Sequence, residues 1–113
     1  MGLFNKKKND YEEASKRLNE TVKASDKIVL EEMEDSDQHA ARLVDSLKRG
    51  YPLVLNFGAL EPTSANKLLA FMTGACHALD GKCITINETT YLFARKIDFL
   101  DGSLQAFLDQ IPD

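Results

Sequence analysis

The sequence predicts an α/β (α+β) sandwich in which two main helices cover a small mixed β-sheet, with elements in the order β-α-β-α-β-β-α. Three observations predict this fold class. The chain has 113 residues, which is enough for one domain. Two stretches with a helical spacing of apolar residues alternate with short apolar runs of the kind that form strands. Two further strand-like runs follow with only a short polar turn between them, which indicates an antiparallel hairpin.

The first half of the predicted domain contains a strand, a helix and a central strand. Residues 28–30 are an apolar run that predicts a short strand. A helix is predicted up to Arg49, with Ser36 and Asp37 as the N-cap candidates, because Gly50 follows as a stop signal. Residues 52–55 are apolar without alternation, which favours a central strand covered on both sides. The apolar residues of the helix form one stripe that is typical of packing on a core: Ala40, Leu43, Val44 and Leu47.

The second half of the predicted domain contains a helix, a hairpin and a last helix. The second main helix is predicted from about Thr63 to Leu79, and Gly81 is expected to supply a positive φ at its C-cap. Residues 83–86 and 91–94 are predicted to form the hairpin. The last helix is predicted from apolar residues that share one helical face: Leu104, Phe107, Leu108 and Ile111.

The charge of the chain is divided between a basic N-terminal tip and an acidic body. Residues 1–8 contain Lys6, Lys7 and Lys8 and no acidic residue, whereas residues 9–113 hold 11 basic and 18 acidic side chains. General nucleic-acid binding needs a basic face on the domain itself, so we expect no nucleic-acid partner. A basic tip suits an anionic membrane surface, to which each lysine contributes about 1 kcal/mol.

The tip also has apolar side chains, since Met1, Leu3 and Phe4 precede the lysines. Residues 1–8 are therefore predicted to bind membrane, weakly as a single copy and firmly when several copies assemble. The alternative is a disordered basic start that only aids solubility. No stretch approaches the ~18 apolar residues of a membrane span, and no signal peptide is recognisable, so we expect a cytoplasmic protein that is peripheral at the membrane.

Two further segments are predicted after the tip. Residues 9–26 are polar with a thin helical stripe, which indicates a partly helical linker. Residues 27–113 are predicted to form the globular core together with its C-terminal helix.

The second main helix differs from the first because nearly all of its sides are apolar or small. The stripe that would cover the sheet consists of Leu68, Leu69, Met72, Cys76 and Leu79. Phe71, Gly74, Ala75 and Ala78 then point elsewhere. A domain of this size has little room to bury such a helix alone, so a homodimer is predicted, with close approach at Gly74 and Ala78. The alternative is that the C-terminal helix or the N-terminal linker packs on this side.

Four stretches of the sequence share their order and spacing with one known family. They are residues 52–56, 65–74, 79–84 and 91–93. With these stretches, residues 28–93 resemble the core domain of SepF, a family of cell division proteins. The resemblance rests on the combination of the stretches, since none of them is diagnostic by itself.

The resemblance implies a cell-division scaffold without enzymatic activity. SepF-like proteins are homodimers that assemble further, bind the C-terminal tail of the tubulin-like protein FtsZ, and attach to the membrane at the division site through an amphipathic N-terminus. On this basis Lys67 and Phe71, which share a helix face, are expected to contact the FtsZ tail. Gly81, in a turn expected to be exposed, is a candidate for contact between dimers. The chain departs from similar sequences at Asn66 and Ala70, where they have a basic and an acidic residue.

Alternatives remain open for the site and for the function. Phe71 could be an ordinary core side chain and Lys67 a solvated edge residue. The chain could also be a small ligand-sensing or regulatory α/β domain that is unrelated to division. An enzyme is not favoured, because Cys76 and His77 are adjacent on a helix and their side chains diverge. No zinc-ligand spacing and no glycine-rich phosphate loop is present, so we expect no metal and no cofactor.

Overall fold

A computed structural model describes residues 22–112 and confirms the predicted order of strands and main helices. Two short 3-10 helices, which the sequence did not predict, occupy Ala24–Lys27 and Lys96–Phe99. The predicted elements have the following bounds: β1 Val29–Glu32, α1 Asp37–Lys48, β2 Leu53–Asn56, α2 Pro62–Ala78, β3 Gly81–Thr85, β4 Thr90–Arg95 and α3 Ser103–Asp109.

The four strands form one mixed sheet in the order β1-β2-β4-β3. Strand β1 runs parallel to β2, with Val29 opposite Leu53, and β4 runs antiparallel to both β2 and β3. Strand β2 is therefore internal, and its residues Leu53, Val54 and Leu55 are buried. The continuous apolar run of β2 thus correctly predicted a central strand.

Helix α1 begins and ends where its sequence signals place it. The hydroxyl of Ser36 accepts a hydrogen bond from the backbone N–H of His39, which satisfies one of the free donors of the first turn. Gly50 has a φ of 93° just past the last turn. This left-handed backbone conformation favours glycine at position 50, since residues with a side chain rarely adopt it.

One face of the sheet is covered by α1 and α2, and the main core lies between these helices and the sheet. Phe93 of β4 is fully buried there, and its ring lies 6.4 Å from that of Phe57. The predicted stripes of both helices and residues of the strand side supply the other apolar contacts. Buried members of this core are Met33, Ala40, Leu43, Leu47, Leu53, Leu55, Leu68, Met72 and Cys76.

The opposite face of the sheet is partly covered by α3 and the 3-10 segments. Ala94 follows Phe93 on β4 and therefore points to this second face, where it packs with Ala24 and Leu104. The backbone N–H of Ala24 donates to the Asp101 carboxylate at 2.8 Å. The packed core thus includes Ala24, three residues before the position at which the sequence placed its start. Helix α3 lies away from the exposed side of α2, so the alternative in which the C-terminal helix covers that side is wrong. The other alternative concerns the N-terminal linker, of which residues 9–21 lie outside the described part of the chain.

The turn after α2 corrects two expectations about Gly81, its positive φ and its exposure. The residue with a positive φ is Asp80, at 57°, and Gly81 is buried instead of lying in an exposed turn. A Cβ on Gly81 would lie 2.5 Å from the sulfur of Cys76 and 2.7 Å from the carbonyl oxygen of Ala94. The glycine is required because α2 and β4 approach each other closely here, which no local sequence signal shows.

Candidate functional site

Helix α2 has a buried inner side and an exposed side that is unusually apolar. Its inner side places Leu68, Met72 and Cys76 in the main core. We define the outer face of α2 by five residues that are all exposed and that recur three or four positions apart: Lys67, Ala70, Phe71, Gly74 and Ala78. The structure thus brings together four of the five predicted contact residues of the core, and leaves out Gly81.

Phe71 is the largest side chain on the outer face, and 49% of it is exposed. Its interpretation as an ordinary core residue is therefore wrong. Covering an exposed aromatic ring with a partner favours binding by about 25 cal/mol per Å² of apolar surface removed from water. Phe71 is thus the natural apolar anchor of any partner bound to this face.

Gly74 has no packing role that the described residues explain. A Cβ placed on it would meet nothing within 4 Å. Glycine in a helix interior costs about 1 kcal/mol relative to alanine. The absence of a side chain at this position lets another backbone approach the outer face closely, as it does at helix pairs with small residues.

The charges near the outer face are few. Lys67 is exposed and forms no ion pair with any residue from 22 to 112. The start of α2 is fixed by the hydroxyl of Ser64, which donates to the Asp35 carboxylate at 2.9 Å. Among residues 22–112, the outer face therefore has one cation without an ion-pair partner, Lys67, one turn before Phe71. Such a face suits a ligand that is apolar with a negative charge.

An open cavity of about 230 Å³ lies beside the N-terminal half of α2 and was missed by sequence reasoning. Phe57 and Tyr91 line it with their rings 5.7 Å apart in an edge-to-face arrangement, and Leu69 and Asn66 close it on the helix side. Phe57 and Tyr91 lie 34 positions apart and meet only because β2 and β4 are neighbours. No spacing in the sequence could have paired them.

The polar cluster around His39 holds neighbouring elements of the fold together. His39 is buried, accepts the backbone N–H of Glu34 at Nδ1, and donates from Nε2 to the Glu31 carboxylate at 2.9 Å. Hydrogen bonds from His39 and then from Arg42 lower the pKa of Glu31. These bonds join β1 to α1, and both nitrogens of the imidazole are occupied.

The two cysteines do not have the environment of nucleophiles. Burial raises the pKa of Cys76 to about 11, and burial also raises the pKa of Cys83. Both are therefore neutral thiols near pH 7, whereas a catalytic cysteine needs a lowered pKa. His77 is exposed while Cys76 is fully buried, so the two side chains diverge as predicted.

The predicted membrane-binding residues lie outside the described part of the chain. They are Met1, Leu3, Phe4, Lys6, Lys7 and Lys8. Within residues 22–112, no helix is both long enough and apolar enough to cross a bilayer.

Comparison with known families places the outer face of α2 in a recognised domain. The family model of the cell division protein SepF matches residues 28–96, which is more than half of the chain. The chain belongs to the SepF family. The matched residues run from β1 to the end of β4, so they include all of α2, whereas α3 lies beyond the match. The resemblance seen in the sequence is thereby confirmed.

Three curated relatives give the extent of the similarity to SepF. The cell division protein SepF of Carboxydothermus hydrogenoformans is 32% identical over 68 residues, which are 60% of this chain and 50% of the relative. That of Alkaliphilus oremlandii is 30% identical over 79 residues, 70% of this chain and 53% of the relative. That of Alkaliphilus metalliredigens is 30% identical over 91 residues, 80% of this chain and 61% of the relative. The chain therefore spans about half to three fifths of the length of these SepF proteins.

Proposed function

We propose that this member of a cell division family is a non-catalytic scaffold. It forms homodimers, binds the C-terminal tail peptide of FtsZ, and tethers that peptide to the inner face of the cytoplasmic membrane at the division site. The observation that carries the proposal is the outer face of α2, which presents Phe71, Gly74 and Ala78 to solvent beside the charge of Lys67. A regulatory domain unrelated to division would leave both the family membership and this face unexplained.

The tail-binding part of the proposal rests on Lys67 and Phe71. Both side chains are exposed and stand one helical turn apart, so one extended peptide can reach them together. Phe71 contributes apolar surface to be covered, and Lys67 contributes a charge for an acidic residue of the peptide. The aromatic cavity beside α2 offers a further apolar contact next to this pair.

The dimer part of the proposal rests on Gly74 and Ala78. Both are exposed and small, and they lie one turn apart on the same side of α2. Two copies related by a two-fold axis would bring these positions together, with the two helix backbones in close contact. Further assembly of such dimers into polymers would place many N-terminal tips on one surface.

The membrane part of the proposal rests on the composition of residues 1–8. Apolar Met1, Leu3 and Phe4 would insert at the interface while Lys6 and its two neighbours bind anionic headgroups. One tip gives weak binding, but the tips of an assembled scaffold bind as a group at high effective concentration. The scaffold is thus peripheral on the cytoplasmic side of the membrane, and needs no nucleic acid, metal or cofactor.

The experiment that tests this function is a titration of the full chain with a fluorescent FtsZ C-terminal tail peptide from the same organism. We expect saturable binding that Phe71→Ala and Lys67→Glu each weaken by about tenfold, the effect of about 1.4 kcal/mol. Lys48→Glu makes the same charge change on the exposed side of α1 and serves as the control. Circular dichroism checks that each variant is folded. Absence of binding at high micromolar peptide would refute tail binding.

A further inference from the structure

A second exposed apolar surface lies at the end of the domain where the N-terminal segment joins it. Leu100 is 81% exposed, Ile97 63% and Val22 43%. All three line one open cavity of about 470 Å³, together with Lys27 and Arg95. We call Val22, Ile97 and Leu100 the Leu100 patch. Half of the large exposed apolar side chains among residues 22–112 therefore gather here, away from the outer face of α2.

The backbone that carries the Leu100 patch is held in place by ion pairs and hydrogen bonds. Arg95 pairs with the Asp98 carboxylate at 3.0 and 3.1 Å. The Asp101 carboxylate accepts the backbone N–H groups of Ala24 and Ser103, both at 2.8 Å. The 3-10 turn between these anchors directs Phe99 inward, while its neighbours Ile97 and Leu100 project into solvent. The exposure of the patch is thus a property of a fixed turn.

The charge around the patch differs from that of the rest of the domain. Residues 22–27 and 95–101 hold four basic and three acidic side chains, whereas the other described residues hold five basic and ten acidic ones. The carboxylates of Asp98 and Asp101 are both occupied by the contacts named above. Lys27, which lines the cavity, pairs with no acidic residue within 22–112. This end of the domain is therefore the one that an anionic surface repels least.

We propose that the Leu100 patch is a second membrane contact, located on the globular core. Ile97 and Leu100 insert into the headgroup region of an anionic bilayer, and Lys23 and Lys27 lie against its phosphates. This inference rests on the membrane tether proposed above, and extends it from the tip to the core. The described domain begins at Val22, so the patch lies at the end of the domain that is nearest in sequence to the tether of residues 1–8.

Other occupants fit the Leu100 patch less well. A second copy of this chain would cover Ile97 and Leu100 equally, but the three carboxylates around the patch already accept hydrogen bonds within the chain, so a second copy offers the patch lysines no free acidic partner there. An anionic bilayer supplies both an apolar layer and a negative charge at the depth that two aliphatic side chains reach. If the patch binds a protein instead of a bilayer, the measurements below will contradict the inference.

The test uses the absence of tryptophan from the sequence. Leu100→Trp places a single reporter in the patch of the full chain, and Glu88→Trp places a matched reporter in the turn at the opposite end of β4. Each variant carries an added N-terminal hexahistidine tag and is recruited to vesicles with nickel-chelating lipid, with and without phosphatidylglycerol. We expect a blue shift of emission and quenching by brominated phosphatidylglycerol for Leu100→Trp alone. Unchanged emission of Leu100→Trp on vesicles that have bound the protein would overturn the inference.

A binding measurement separates this inference from the tether on which it rests. In the untagged full chain, Ile97→Glu with Leu100→Glu should weaken binding to phosphatidylglycerol vesicles by about tenfold or more. Leu30→Glu, at an exposed leucine of strand β1, should leave it unchanged. If untagged wild-type chain fails to bind while the tagged Leu100→Trp reporter is still buried, the tether is wrong and the patch stands. If the double variant changes the molar mass of the protein without vesicles, the patch is a protein interface and the inference is overturned.

Discussion

Helices α1 and α2 pack side by side on one face of the same sheet, yet their solvent sides differ. The exposed side of α1 is charged, and its Asp45 pairs with Arg49, the residue directly after the helix, at 3.1 Å. The exposed side of α2 carries Phe71, Gly74 and Ala78 instead. Both helices meet the needs of the fold with their inner stripes, so the fold does not explain the difference. The outer face of α2 is therefore the surface on which we propose that partners bind, while the outer side of α1 is solvated.

The largest expected effect comes from placing a charge on the outer face of α2. Ala78→Glu should convert the proposed dimer to a monomer, because a buried unpaired carboxylate at a close helix contact costs about 3 kcal/mol or more, roughly a hundredfold in affinity. Ala41→Glu makes the same change at an exposed alanine of α1 and should leave the dimer intact. Light scattering after size exclusion gives the molar mass of each variant. Dimers that persist in Ala78→Glu would assign the interface to the sheet or its edge instead.

A smaller effect is expected from alanine at the buried glycine next to α2. Gly81→Ala should lower the free energy of unfolding by about 1–3 kcal/mol, because the new Cβ would meet a sulfur and two carbonyl oxygens at less than 3 Å. Chemical denaturation monitored by circular dichroism measures this. A stability equal to that of the wild type would mean that α2 and β4 do not approach as closely as described.

Alanine at the exposed glycine of α2, Gly74, should change stability in the opposite direction. Gly74→Ala should raise the free energy of unfolding of the monomer by about 1 kcal/mol, because its Cβ would meet nothing and alanine favours the helix. The same variant should weaken dimerisation if two helices cross at this position. Measuring unfolding in the Ala78→Glu background isolates the first effect. A loss of stability there would indicate packing against Gly74 within the chain itself.

The smallest expected effects are changes of stability with pH. They differ between the two helices, because α1 is affected at acid pH and α2 at alkaline pH. The lowered pKa of Glu31, which contacts α1, means that its stabilisation is present above its ordinary value of 4.5 and is lost as pH falls through its folded value. The raised pKa of Cys76, on α2, means that stability is lost as pH rises from 9.0 to about 11, because the unfolded thiol ionises first. Glu31→Gln should remove the loss of stability at acid pH, and Cys76→Ala should remove the loss of stability at alkaline pH. Melting temperatures across pH measure both, and a profile that neither variant alters would contradict these assignments.

The sequence predicted the elements well because their signals are local. The apolar stripe of α1 and its Ser36 cap, the uninterrupted apolar run of β2, and the excess apolar surface of α2 all follow from spacing within one segment. The outer face of α2 was predictable for the same reason, since Lys67, Phe71, Gly74 and Ala78 recur with helical spacing. Its role in dimerisation and tail binding remains a prediction.

The features that the sequence did not predict depend on contacts between distant residues. The reason for glycine at position 81 lies in β4, and the burial of His39 depends on Glu31 in another element. The early start of the core depends on bonds from Ala24 and Ser25 to residues 77 and 78 positions later. Such pairs leave no periodic pattern in the sequence, because the two residues of each pair come together only when the chain between them has folded.

The bonds from Ala24 and Ser25 to Asp101 and Ser103 have a mechanical consequence. Any pulling force applied through residues 1–21 enters the domain at Val22 and meets these two bonds before it reaches the sheet. The load therefore passes into the turn before α3, and β1 is shielded as long as that turn holds. Removing the C-terminal segment would leave β1, a four-residue edge strand, as the first element to bear the strain.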